Sequence, residues 1–299
     1  MPQGPLPSAY RGVPPRIAPS PSHVAYLTPR VSVAPPKMQP MRLTILGRSP
    51  ARPNPGEACA GYVVEGGASR ILMDVGPGVV AQLLRRNTPD ELDAVIVSHM
   101  HTDHCLDLVT LRYSYPWIDV AKKRLTVFVP PGSTAQLSEL ALGAGYANFF
   151  DKSFIFVEYD GKRPIEIGDL RFEPDETQHY VRTWGYRITA RGAGEDTEKV
   201  LAYSADAGPC DALPRIADRS DLFLCEAGLR SLQEDDPAPQ SRGHLLPFEA
   251  GEFAQASEAR RLVLTHIPLP DGGEWALSEA RSAYEGDVSI AEPLLTYEV

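Results

Sequence analysis

Ala94-Val95-Ile96-Val97-Ser98-His99-Met100-His101-Thr102-Asp103-His104 decides how this chain reads. Its first four residues are apolar and mostly β-branched, the composition of a short strand buried on both faces. The strand gives out at Ser98, and four side chains able to ligate a metal follow within six residues. Residues two apart on an extended segment point the same way, so His99 and His101 are placed to share one ion. Asp103 and His104 fall where the chain turns toward Leu106, Leu108 and Leu111, and can face a second position. Imidazole with carboxylate suits Zn²⁺, with Mn²⁺ or Fe²⁺ as alternatives. Three of the chain's seven histidines stand in this hexapeptide, a concentration that capping a helix or filling a core does not call for.

Working outward, the residues before the motif predict strands at 42–46, 61–65 and 70–74, the last ending at Gly76-Pro77-Gly78, and a helix over 79–86. After the motif, strands are expected at 125–129, 154–159, 170–174, 184–190, 200–204, 222–225 and 261–265. Helical spacing covers 133–142, 247–256 and 278–284. Strands and helices interleave throughout, which predicts an α/β architecture with helices covering sheet faces. No internal repeat is visible.

The 299 residues are 43% hydrophobic and carry a formal net charge of −10, a balance unfavourable to a large polyanion, which needs concentrated Lys and Arg. Four widely spaced cysteines, with no CxxC pair, read as reduced thiols in a cytoplasmic protein. No apolar run of about 18 residues predicts a membrane-spanning helix. Residues 1–40 are different material, with eleven prolines and no Asp or Glu. They are expected to be a disordered tail, or sequence upstream of a start at Met41, leaving 41–299 as the folded domain.

H-x-H-x-D-H after an apolar strand resembles the signature of the metallo-β-lactamase superfamily, and the other pieces follow in order. Asp74, in Leu72-Met73-Asp74-Val75-Gly76, looks like the family's aspartate that supports the ligands. His179, Asp206 and His266, each near a predicted strand end, resemble the remaining ligands. The resemblance covers about residues 41–299 and implies a four-layer αββα sandwich of two mixed sheets flanked by helices. It also implies two divalent metal ions, one held by His99, His101 and His179 and the other by Asp103, His104 and His266. Asp206 would bridge them, Asp103 would be counted with the catalytic residues, and Asp107 would be a solvated helix residue.

Details around these positions resemble the ribonuclease Z-like branch and its bacterial cyclic-nucleotide phosphodiesterases. They are Thr177-Gln178-His179 followed by Trp184-Gly185-Tyr186-Arg187, Tyr203-Ser204-Ala205-Asp206, and Cys225-Glu226-Ala227 ahead of Gly243-His244-Leu245. The resemblance implies that Glu226 and His244 deliver a proton to the leaving group, and that this chain, like many relatives, forms a homodimer. Two departures bear on substrate. Transfer-RNA processing members carry His where this chain has Cys225, and they carry a long basic arm that residues 131–179 lack. A small cyclic phosphodiester such as 3′,5′-cyclic AMP is therefore expected ahead of transfer RNA, a lactam or a thioester, and an inert metal-binding protein stands last. Arg187 is nominated to bind phosphate, and Tyr115, Trp117 and Trp184 to stack on a base.

Overall fold

The computed structural model describes residues 40–115, 124–190, 198–232, 241–269 and 272–299. The proline-rich segment, residue 40 apart, and Trp117 lie outside them. The described strands are β1 (Arg42–Gly47), β2 (Gly61–Gly66), β3 (Ser69–Met73), β4 (Ala94–Ile96), β5 (Leu125–Val129), β6 (Phe154–Glu158) and β7 (Ile165–Ile167). They continue as β8 (Leu170–Thr177), β9 (Thr183–Ala190), β10 (Val200–Tyr203), β11 (Leu222–Glu226), β12 (Arg261–Thr265), β13 (Asp287–Ile290) and β14 (Thr296–Glu298). The helices are α1 (Val79–Leu83), α2 (Thr102–Cys105), α3 (Leu108–Leu111), α4 (Ser133–Gly143), α5 (Ala212–Ala217), α6 (Pro247–Ala256) and α7 (Glu274–Ala283).

Two seven-stranded sheets result, ordered β14-β1-β2-β3-β4-β5-β6 and β13-β12-β11-β10-β9-β8-β7. Counted from β14 in the first and from β7 in the second, each has three antiparallel pairings followed by three parallel ones. The two halves thus share a pairing pattern that leaves no trace in the sequence, because hydrophobic alternation specifies a strand's faces and not its partners.

Three apolar layers hold the sandwich together. Ile45, Tyr62, Ile71 and Ile96 of the first sheet meet Phe172, Tyr186, Leu201 and Leu224 of the second. The outer face of the first sheet packs Val63, Leu72, Val95 and Val127 against Val79, Leu83, Leu108, Leu111 and Leu137 of α1, α3 and α4. The outer face of the second packs Phe223, Cys225, Leu262 and Leu264 against Leu213, Ala250, Ala254, Ala276 and Ala280 of α5, α6 and α7. This is the expected four-layer αββα arrangement. Buried hydroxyls tie the sheets near their parallel ends: Tyr62 Oη meets Thr265 Oγ1 at 2.8 Å, and Tyr186 Oη donates to the Val97 carbonyl at 3.0 Å. Unpaired, each buried hydroxyl would cost roughly 1–3 kcal/mol.

The predicted helix 278–284 begins earlier, at Glu274, immediately after Gly273, whose φ of 88° turns the chain into it. The helix expected over 79–86 stops at Leu83. Six elements were not foreseen: β7, β13, β14, α2, α3 and α5 have three to six residues each, too few for a period to register. Among the described residues no helix is long and apolar enough to cross a membrane.

Candidate metal centre

The candidate residues gather where parallel strands of both sheets end. Asp74 follows β3, His99 and His101 follow β4, and Asp206 and His266 lie just beyond β10 and β12, while Asp103 and His104 sit on α2. Bending the chain so sharply at a strand end forces non-glycine residues into the left-handed region: Asp74, Ala205 and His266 have φ of 56°, 51° and 50°. Each such residue costs of order 1–3 kcal/mol and persists only where surrounding contacts impose it. Asp74 N–H donates to the Ile96 carbonyl and Val75 N–H to the His104 carbonyl, which fastens the β3 end against the motif. A Cβ on Gly76 would stand 1.8 Å from the Asp103 carbonyl oxygen, so only glycine lets the two segments approach this closely.

His99, His101 and His179 form one group, with ligand atoms within 4.8 Å of one another. His101 Nδ1 and His179 Nε2 are 3.0 Å apart. Donors sharing a tetrahedral zinc with bonds of about 2.0–2.1 Å lie roughly 3.3 Å apart, so this spacing fits one ion. The outward nitrogens of His179 and His99 are spoken for. His179 Nδ1 donates to the Gly243 carbonyl at 2.7 Å, which turns Nε2 inward as a lone pair. Ser98 Oγ donates to Asp74 Oδ2 at 2.8 Å, leaving it to accept from His99 Nδ1 at 3.1 Å, with the same result for His99.

Asp103, His104, Asp206 and His266 form the second group, all buried. His266 Nε2 lies 3.1 Å from Asp103 Oδ2 and 3.2 Å from Asp206 Oδ2, and His104 Nε2 lies 3.2 Å from Asp206 Oδ1. Asp206 also faces the first group, with Oδ2 3.8 Å from His99 Nε2 and 3.9 Å from His179 Nε2. Among the described residues His99 Nε2, His104 Nε2 and Asp206 Oδ1 are buried without a hydrogen-bond partner. Orphaned atoms converging on one spot are what a cation would satisfy, and the cluster suits a metal ion.

Burial opposes ionisation of Asp206, yet His104 and His266 hold its carboxyl well below the ordinary carboxylate range. The reverse holds for His104, which, against its burial, the Asp206 and Asp74 carboxylates keep well above the ordinary imidazole value. Burial, helped by the facing histidines, pushes His99 well below the ordinary imidazole value, so it stays neutral and able to ligate. Asp74 supports both sides of the cluster: Oδ2 accepts from His104 Nδ1, Ser98 Oγ and Tyr203 Oη, each at 2.8 Å.

Beside the cluster, His244 Nδ1 donates to Glu226 Oε1 at 2.9 Å. Glu226 is fully buried and also accepts from the backbone N–H groups of Ala207 and Gly228 at 3.0 and 2.6 Å. Burial alone would lower the His244 pKa, but the adjacent Glu226 carboxylate raises it to about 9, so the imidazole keeps its proton at neutral pH. The His244 ring stacks on His266, with centroids 5.4 Å apart and planes 10° from parallel.

Several expectations need correction. Arg187 does not reach the cluster; its Nη1 donates to the Asp218 carbonyl at 2.6 Å and joins β9 to the chain after α5. Tyr115 and Trp184 are 3% and 1% exposed and cannot stack on a base, because each fills the core that its strand or helix end covers. Asp107 is half-buried and accepts from Val80 N–H at 3.0 Å, so it joins α1 to the motif rather than facing solvent. Cys225 points into the helix-covered outer layer, opposite Glu226 on the same strand. Its replacement of His therefore concerns packing there and not the proton-bearing pair. Sequence reasoning missed Ser98, Tyr203 and Gly243, which orient the ligands. All three stand within quoted stretches, but nothing local marks their hydrogen bonds.

A model of the beta-lactamase superfamily domain matches residues 69–267. Uncharacterized protein ML1173 of Mycobacterium leprae is 32% identical over 266 residues, spanning 87% of this chain and 89% of its own. A ribonuclease Z of Salinispora arenicola is 28% identical over 304 residues, spanning 87% and 96%. The crystal structure of the metallo-beta-lactamase fold protein YhfI from Bacillus subtilis superposes with a TM-score of 0.74 at 26% identity, covering 87% of this chain and 99% of that one.

Proposed function

The chain belongs to the metallo-β-lactamase superfamily, in its ribonuclease Z-like branch, and from that premise we propose that it is a two-metal phosphodiesterase acting on a small cyclic nucleotide such as 3′,5′-cyclic AMP. His99, His101 and His179 would hold one cation, Asp103, His104 and His266 the other, and Asp206 both. Zinc is the ion that the nitrogen-rich donor set would favour. When bound, the cations supply Lewis-acid activation of a water and neutralise charge on the phosphate.

The observation that carries this reading is the Glu226–His244 pair packed on His266. A protonated imidazole held by a buried carboxylate, beside the ligand cluster, is placed to donate to a departing ribose oxygen. Asp74, Ser98 and the Gly243 carbonyl orient the rings of His104, His99 and His179.

A small substrate is favoured over transfer RNA on two grounds. Residues 131–179 are taken up by α4, β6, β7, β8 and the short links between them, with no protruding arm, and the net charge of −10 repels a long polyanion. Relatives named ribonuclease Z favour phosphodiester chemistry over lactam or thioester hydrolysis. The test is a side-by-side assay of the zinc-loaded protein with cyclic AMP, a precursor transfer RNA and a chromogenic lactam. Turnover of the first alone is expected; cleavage of the transfer RNA at its 3′ end, or of the lactam, with cyclic AMP intact would overturn the assignment.

A further inference from the structure

Tyr180 directly follows His179, and its ring meets two histidines of the centre at once, with centroids 5.1 Å from His179 and 5.8 Å from His244. It is nevertheless 57% exposed. The ring is held against its neighbours, because a Cβ on Gly243 would come within 2.7 Å of Tyr180 Cε2. Gly243 is also the residue whose carbonyl orients His179. Among the described residues, the other exposed aromatics are Tyr113, Tyr146 and Phe248, and none of them has a ring contact with a histidine. The aromatics first considered for base stacking are buried or outside the described residues, so the role falls to a different side chain.

We propose that Tyr180 is the platform on which the substrate's nucleobase stacks, a specificity-determining residue that makes the centre select phosphodiesters whose leaving group bears an aromatic heterocycle. This rests on the phosphodiesterase reading above. A phenol ring adjoining the proton donor His244 lies on the leaving-group side of the reaction, where the ribose and its base must be. A tyrosine already held in place loses little conformational freedom when a base covers it, and every base offers a π-face, so stacking selects for a nucleoside without choosing among bases. Nearby, a cavity of about 180 Å³ lined by Met100, Pro130, Gln136 and Arg182 is the competing place for the base.

The experiment is calorimetric titration of the zinc-loaded protein with adenosine 5′-monophosphate and, separately, ribose 5-phosphate, which lacks the base. Wild type and Tyr180→Phe should bind the nucleotide about tenfold more tightly, in the range stacking on one aromatic gives. Tyr180→Ala and Tyr180→Leu should bind the two ligands equally, with zinc content and ribose 5-phosphate affinity unchanged, and Gln136→Ala should behave as wild type. No preference in wild type, a preference surviving Tyr180→Ala, or one abolished by Gln136→Ala overturns the proposal. So does a parallel loss of zinc, which would make Tyr180 a support for His179. A protein that binds the nucleotide through Tyr180 yet leaves cyclic AMP intact would sink the phosphodiesterase reading and not this one.

Discussion

His244 Nδ1 donates to Glu226 Oε1 at 2.9 Å, and the His244 ring lies flat on His266, so a protonated imidazole and a metal-ligand candidate share one stack. Eighteen residues separate the pair in sequence, and β11 and the loop before α6 bring them together.

His244→Ala should lower kcat on a phosphodiester by about 10²–10⁴-fold, the usual worth of a positioned general acid, while metal content stays at the wild-type level. Elemental analysis beside steady-state kinetics checks both halves. Loss of metal would make His244 a ligand and refute the role.

The same pair predicts a pH dependence. A general acid must be protonated to act, and Glu226 raises the His244 pKa to about 9. Activity should therefore fall as pH rises through about 9. Glu226→Gln removes the carboxylate charge and should move that alkaline limb to lower pH; an unmoved limb would show that another group controls it.

Asp206 faces both ligand groups at 3.2–3.9 Å. Asp206→Ala should abolish hydrolysis and reduce bound metal, measured in protein purified without chelators. Full activity in this variant is incompatible with the two-metal proposal.

Asp74 is fully buried and accepts from His104, Ser98 and Tyr203. Asp74→Ala should weaken metal affinity about 10–100-fold by freeing the His104 ring, as loss of a ligand's supporting partner commonly does. Competition with a zinc-sensitive dye would measure it, and unchanged affinity would remove Asp74 from the supporting shell.

Arg242 pairs with Glu249 at the start of α6, and its Nε donates to the His244 carbonyl at 3.0 Å. Arg242→Ala should cost about 2–3 kcal/mol in urea unfolding, less than the 3–5 kcal/mol of a fully buried pair because Glu249 retains some exposure. Turnover should fall with it, since the His244 backbone loses an anchor.

Much of this was legible in the chain. The apolar run 94–97 announced a buried strand, and His99, His101, Asp103 and His104 announced a metal site, because ligand spacing and strand burial are local properties that a few residues express. Resemblance then pointed to His179, Asp206, Glu226, His244 and His266, which the fold brings together. Arg187 and Trp184 had suitable chemistry beside a motif, but the direction each side chain takes depends on which neighbouring element covers it.

What the sequence by itself determined, then, is the ligand-capable cluster of His99, His101, Asp103 and His104 and the interleaved α/β class, since both follow from residue type and short-range period. Tertiary structure decided the rest. The pairing of two like sheets set parallel strand ends side by side, and that alone turned residues as distant as Asp74 and Tyr203 into one hydrogen-bonded support. It also left Tyr180 exposed at the centre while burying Tyr115 and Trp184, because burial is fixed by what packs against a residue, and no local pattern records that.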